Sequence, residues 1–288
     1  MSDIEKSIVV GIDFSRSSIQ AFEYALGIAG QTQSKLRLVY VTKKRDIDSL
    51  VPRDGKGKNS ATEKSFEKLI ARYKDSIPGE ITYRILSGKI YEEVTNLAKY
   101  TEAWLIIAGA HGMSGFEEMW VGNNASKIIS HANRPVITLK KNFRIKKPVL
   151  EKIVLPIDST FETIQKVPFT LELAQYFKAQ INVLSLHSSK MKTTEQRVEN
   201  NTRDVMELIV KSGLRYINEK IVDENITRAT IEYAQKRNAD LISIMTEQEF
   251  SSQNVLMGTY AQQMVNQAPI PVLSHKTRIL VKHDGLIE

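Results

Sequence analysis

The sequence predicts an α/β protein made of two tandem, open, five-stranded parallel-sheet α/β sandwich domains, and three observations predict it. The chain repeats itself: residues 7–13, ending in Asp13, return as residues 152–158, ending in Asp158, and 36–41 return as 181–186 at the same offset of 145. Further on the offset falls to 136, so that 104–108 align with 240–244 and Gly122 with Gly258, which means that one loop is nine residues shorter in the second copy. Within each copy, short aliphatic runs alternate with stretches whose apolar residues recur at helical spacing, the pattern of strands joined by crossover helices in a parallel sheet.

Each element follows from its residues. The runs 8–12, 36–41, 81–86, 104–108 and 136–139 are β-branched or aliphatic on consecutive positions, as expected of parallel strands covered on both faces. Between them, 17–30, 62–76, 91–99 and 123–131 carry apolar stripes such as Phe22, Ala25, Leu26 and Ala29, predicting four helices. The second copy repeats the scheme, with strands at 153–157, 181–186, 215–221, 241–244 and 272–274 and helices at 161–177, 193–212, 226–237 and 255–266. The charged, aperiodic segment 141–150 reads as a linker between domains at 1–140 and 151–288. Residues 43–60, with Pro52, Gly55 and Gly57, read as a long, basic, poorly ordered loop.

Composition narrows the chemistry. With 288 residues, 42% hydrophobic and 25% charged, the chain is long enough for two cores and has no disordered or low-complexity character. No cysteine is present, which removes disulfides, thiolate catalysis and cysteine-based metal sites. No apolar run reaches the roughly 20 residues that cross a bilayer and no cationic, apolar leader opens the chain, which predicts a cytoplasmic protein without a membrane partner. The net charge of +7 is dispersed, so it reads as solvated loops and not as a nucleic-acid surface.

The chemistry-bearing motif lies after the fourth strand. Gly109, Gly112 and Gly122 form a G-x2-G-x9-G pattern running into the helix that begins at Asn123 and Asn124. Glycines at a strand's carboxyl end let backbone approach a phosphate closely, and the following helix aims free N–H groups at the anion. Asp13, at the carboxyl end of the first strand, faces the same edge, where ligands bind in open parallel sheets. His111 in the loop reads as a solvent-exposed histidine, with phosphate contact or proton shuttling as the alternative, and Ser114 and Ser126 have no activating base adjacent in sequence, so no catalytic residue is assigned.

With its opening strand ending in Asp13, the Gly88-Lys89 turn, the three glycines and the terminal Asn133-Arg134-Pro135-Val136, the chain resembles the universal stress protein family in both halves. The resemblance implies an adenine-nucleotide alpha-hydrolase-like fold and, in the family's ATP-binding branch, a bound ATP or related adenine nucleotide. Adenine would lie against Val41, the nucleoside at Asp13, and the phosphates at Gly109, Gly112, Gly122 and their neighbours Asn123 and Asn124, with Mg²⁺ present only on the nucleotide. Asn123 stands where the family carries Ser or Thr. In the second copy Met245 and Gln248 replace Gly109 and Gly112, while Gly258-Thr259 retain the third glycine and the hydroxyl, so this half is expected to bind ATP weakly or not at all. The resemblance also implies intrachain pairing of the two halves through their final strands, each opened by a proline, and leaves association into a homo-oligomer open. The functional expectation is a nucleotide-dependent regulatory or interaction module of the stress response. A nucleotide-independent scaffold and a slow ATP-hydrolysing or phosphotransfer enzyme are the alternatives.

Overall fold

Consecutive aliphatic residues do form buried strands, because helices cover both faces of one continuous sheet. The computed structural model describes residues 5–42, 59–109, 123–141, 143–145, 149–188, 191–246, 248–251 and 254–277. The first half runs β1 (Ser7–Gly11), α1 (Arg16–Thr32), β2 (Lys35–Thr42), α2 (Asn59–Tyr73), β3 (Ile81–Ser87), α3 (Ile90–Tyr100), β4 (Leu105–Gly109), α4 (Asn123–His131) and β5 (Val136–Leu139). The second runs β6 (Lys152–Ile157), a 3₁₀ turn (Glu162–Ile164), α5 (Val167–Phe177), β7 (Gln180–His187), α6 (Lys192–Ser212), β8 (Tyr216–Val222), α7 (Ile226–Lys236), β9 (Leu241–Thr246), β10 (Gln248–Ser251), β11 (Asn254–Met257), α8 (Thr259–Gln267) and β12 (Val272–Lys276).

Ten strands form one sheet in the order β3-β2-β1-β4-β5-β12-β9-β6-β7-β8. Its single antiparallel seam joins the final strands of the two halves, with Val272 opposite Thr138, Leu273 opposite Ile137 and Ser274 opposite Val136. Pairing these strands removes two sheet edges that would otherwise carry unpaired backbone groups. One apolar core lies between the sheet and α1, α2, α5 and α6, and a second lies on the opposite face under α3, α4, α7 and α8.

The halves are also joined by side chains. The Trp104 ring packs at 4.8 Å from Phe169, Lys6 Nζ donates to Tyr176 Oη at 2.6 Å, and Gln31 Nε2 donates to the Tyr176 carbonyl at 2.7 Å. The segment between β5 and β6 is docked: Val149 and Leu150 are buried, and Phe143 and Ile145 pack on the core. A Cβ at Gly27 of α1 would overlap Val149 Cγ2, so the glycine in mid-helix makes room for this connection.

The second half departs from the sequence expectation in two places. The helix expected over 161–177 begins as the 3₁₀ turn and becomes α-helical only at Val167, with proline in its first turn, where a missing N–H costs nothing. The helix expected over 255–266 begins at Thr259. Val255 instead lies in a β10–β11 hairpin opposite Phe250, and the extended backbone of Gly258 (φ −60°, ψ 158°) separates strand from helix. The basic loop expected over 43–60 lies outside the described residues, except where α2 begins at its end.

Candidate functional site

The order of strands places the candidate site. In the first half the chain lays β2 and β3 on one side of β1, then β4 and β5 on the other, so the carboxyl ends of β1 and β4 flank a topological switch point, the usual ligand crevice of open α/β sheets. Gly11 pairs with Val39 and Val10 with Ile107. Continuing that register brings Asp13, Val41 and Gly109 to one edge on three adjacent strands. The half-buried Val41 packs against the core under α3, and α4 opens at this edge with Asn124 exposed in its first turn.

Asp13 is held by a tight local motif. Its Oδ1 accepts the Ser15 N–H at 2.9 Å and its own N–H donates to Ser18 Oγ at 3.2 Å, while Ser15 Oγ accepts the Ser18 N–H at 3.2 Å and caps α1. Phe14 between them takes a left-handed φ of 61°, unusual for a bulky side chain, with its ring packed at 4.9 Å from Phe66. The same motif recurs in the second half. Asp158 Oδ1 accepts from Thr160 N at 2.8 Å and from Thr160 Oγ1 at 2.5 Å, and the Asp158 N–H donates to Thr163 Oγ1 at 3.3 Å. The aspartate therefore has a structural duty in both halves, whatever else it contacts.

Gly109 has a packing reason of its own. A Cβ there would overlap Ser17 Oγ and sit 2.9 Å from the Ser17 carbonyl carbon and oxygen, so its bare backbone lets the start of α1 approach β4. Gly112 and Gly122 lie outside the described residues, as does the side chain of Asn123, whose backbone begins α4. Of the expected site residues, the structure brings Asp13, Val41, Gly109 and the first turn of α4 to one edge.

The second half differs at the equivalent positions. Met245, at the position of Gly109, is 7% exposed, and the helix start that abuts Gly109 in the first half is here the 3₁₀ turn. Lys166 is buried in the core and donates from Nζ to the Thr163 carbonyl at 2.7 Å and to Thr163 Oγ1 at 2.9 Å. Burial pushes its ammonium from the usual 10.5 down to about 8, partly offset by Asp158. Thr170 Oγ1 donates to the Lys166 carbonyl at 2.7 Å and lies 2.7 Å from Ser243 Oγ, which is 3.2 Å from His275 Nε2. Burial, with Lys166 nearby, drives His275 from 6.5 down to about 3 and keeps its imidazole neutral. Sequence reasoning missed this network. The available signal was Lys166 standing at the position of Ala21 in the first copy.

No group of three or more His, Cys, Asp or Glu suited to a metal occurs among the described residues. No helix among them is long and apolar enough to cross a membrane.

A doubly wound α/β architecture with its crevice at a switch point defines a class of ligand-binding folds, and comparison with known proteins gives the family. Residues 5–140 match the sequence model of the universal stress protein family. A universal stress protein of Methanocaldococcus jannaschii is 27% identical over 150 residues, covering 48% of this chain and 84% of the relative. A second from the same organism is 25% identical over 159 residues, covering 49% and 98%. A crystal structure of a universal stress protein from Archaeoglobus fulgidus superposes on 94% of this chain and 96% of its own with a TM-score of 0.71 at 14% identity, which shows a shared fold through both halves. The first half of the chain is thus a universal stress protein domain by its sequence, and the second half shares the fold.

Proposed function

We propose that the first half binds ATP or a related adenine nucleotide and that occupancy changes the interactions of the whole chain. The observation carrying this reading is the convergence of Asp13, Val41 and Gly109 on the carboxyl edge of three adjacent strands at the switch point. Adenine would rest against Val41 and the nucleoside at Asp13. The phosphates would lie at Gly109, Gly112 and Gly122, with Asn123 and Asn124 offering amide and backbone donors at the start of α4. The residues fit such a group: a glycine backbone, a carboxylate and a helix N-terminus share one edge, and Mg²⁺ would arrive with the nucleotide. In this reading the chain divides into a nucleotide-binding domain at 1–140, a linker at 141–150 and a second domain at 151–288 whose equivalent site is closed.

One observation favours a nucleotide-independent scaffold instead. Gly109 is explained by Ser17, and the Asp13 turn is repeated in the second half, so neither needs a ligand to account for it. Mass spectrometry of the gently purified protein, with calorimetric titration of ATP, separates the two readings. Nucleotide binding predicts a released adenine nucleotide and an affinity weakened at least about tenfold by Asp13→Asn. An empty protein that gives no heat with ATP supports the scaffold.

A further inference from the structure

The outer helix of the second half carries an exposed face that the first half lacks. In the first half, Tyr83 of β3 stacks on Phe66 of α2 at 4.6 Å and Tyr40 of β2 packs beside Phe14. Strand register places Asn218 where Tyr83 stands and Ser185 where Tyr40 stands, and a groove of about 750 Å³ stays open beside α6. The helix buries Val198, Thr202, Val205 and Ile209 against the sheet. Its groove-side face carries two rows. One is apolar, Met206 with Val210, the latter 61% exposed. The other is charged and exposed: Glu199, Arg203, Glu207 and Lys211 follow one another at four-residue intervals and alternate in sign. Residues four apart are neighbours on a helix surface, so these side chains form one continuous strip.

Such a strip is complementary to itself when reversed. Two α6 helices laid antiparallel about a two-fold axis level with Val205 bring Glu199 against the partner's Lys211 and Arg203 against the partner's Glu207, each contact occurring twice by symmetry. A slip of one turn sets Arg203 against Arg203 or Glu207 against Glu207, and a parallel arrangement sets every charge against itself. The strip therefore attracts a second copy in one register and rejects the neighbouring ones. Its charges are available: Glu199 meets Lys220 at 3.8 Å, while Glu207 and Lys211 have no ion pair among the described residues. Pairing along a single helix also favours alternating signs, but it leaves Met206 and Val210 facing water, whereas a second helix covers both rows. In the first half, with buried Phe66 at the position of Thr202, α2 has Glu63, Glu67 and Ala71 where α6 has Glu199, Arg203 and Glu207. Two acids and an alanine cannot pair with their own reverse.

We propose that two copies of this chain associate through α6, antiparallel about a two-fold axis, with Arg203 of each on Glu207 of the other, Glu199 on Lys211, and the Met206–Val210 rows covered between them. A single pair of helices buries less than the roughly 800 Å² per partner of a standard interface, so the dimer is a weak one. Sedimentation equilibrium of the full chain without nucleotide tests this, and its outcome is independent of whether the first half binds ATP. The expected result is a dimer with a dissociation constant of about 10–100 μM that weakens as salt is raised. Arg203→Glu and Glu207→Arg each create like-charge contacts at both symmetry-related places, and each should weaken the dimer at least about tenfold. Both side chains are exposed, so neither substitution removes a core contact. Mixed in equal amounts, the two variants are complementary to one another again and should form a heterodimer within about threefold of the original affinity, which misfolded chains would not do. A chain that stays monomeric up to about 0.5 mM, single variants that dimerise as tightly as the parent, or a mixture that stays monomeric would each overturn the proposal.

Discussion

Three residues, Gly109, Lys166 and His275, have structural duties that unfolding experiments can read. Because a Cβ at Gly109 meets the Ser17 backbone, Gly109→Ala is expected to destabilise the ligand-free protein by about 1–3 kcal/mol, as overpacking does. Thermal unfolding without nucleotide checks this, and an unchanged melting temperature would mean that the glycine serves only a ligand. Lys166 makes stability depend on pH in a definite sense. Below about pH 8 the ammonium is charged in folded and unfolded chains alike, and its burial cost is constant. Between about 8 and 10.5 the unfolded chain binds a proton that the folded one has released, so stability rises with pH, by on the order of 3 kcal/mol across the window. Lys166→Met, which keeps the volume and removes the charge, should abolish that rise in denaturant titrations between pH 8 and 10.5. His275 works at the acid end: its folded value of about 3 lies below the ordinary 6.5, so stability is lost as pH falls through that interval. Neither Lys166 nor His275 announced itself in sequence. A lysine near a helix start reads as solvated, and only its place opposite Ala21 in the repeat marks it as inward-facing.

At the scale of elements, what was legible was whatever the repeat and the covered faces of the sheet dictate. The aliphatic runs at 8–12 and 153–157 became β1 and β6 because helices shield both their faces. The β10–β11 hairpin was not legible. Its strands are four residues long, and Gln248 and Glu249 break any apolar alternation, so alignment with the first copy suggested a loop running into a helix. The linker's charges are on the page, but its docking was not legible: Val149 and Leu150 are buried, and Phe143 and Ile145 pack on the core. That docking predicts an unusual sign. Gly→Ala inside a helix ordinarily stabilises by roughly 1 kcal/mol. Gly27→Ala should instead destabilise, and Val149→Ala in the same chain should recover most of the loss, a coupling that a double-mutant cycle of unfolding free energies measures. Simple additivity would place Val149 away from α1. The candidate site was legible in part, since Asp13, Val41 and Gly109 could be ordered along the strands. The open groove under α6 was not, because an absence of bulk at Ser185 and Asn218 carries no signal until register sets them against Tyr40 and Tyr83.

The whole molecule is a repeat whose copies share a sheet and have parted in their sites. The antiparallel pairing of β5 with β12 makes one ten-stranded sheet with β3 and β8 as its edges, and the Trp104, Phe169 and Tyr176 contacts tie the cores together. The copies share the turn at Asp13 and Asp158 but not what surrounds it. Met245 stands at the position of Gly109, a buried Lys166 at that of Ala21, and a hairpin where the first copy carries its glycine loop. An asymmetric pair of this kind should take up nucleotide in one half only. The direct test is the stoichiometry of ATP binding to the full chain by calorimetry, alongside the Gly112→Val variant. The account predicts one ATP per chain, lost in Gly112→Val. Two ATP per chain, one that survives Gly112→Val, or none would contradict it.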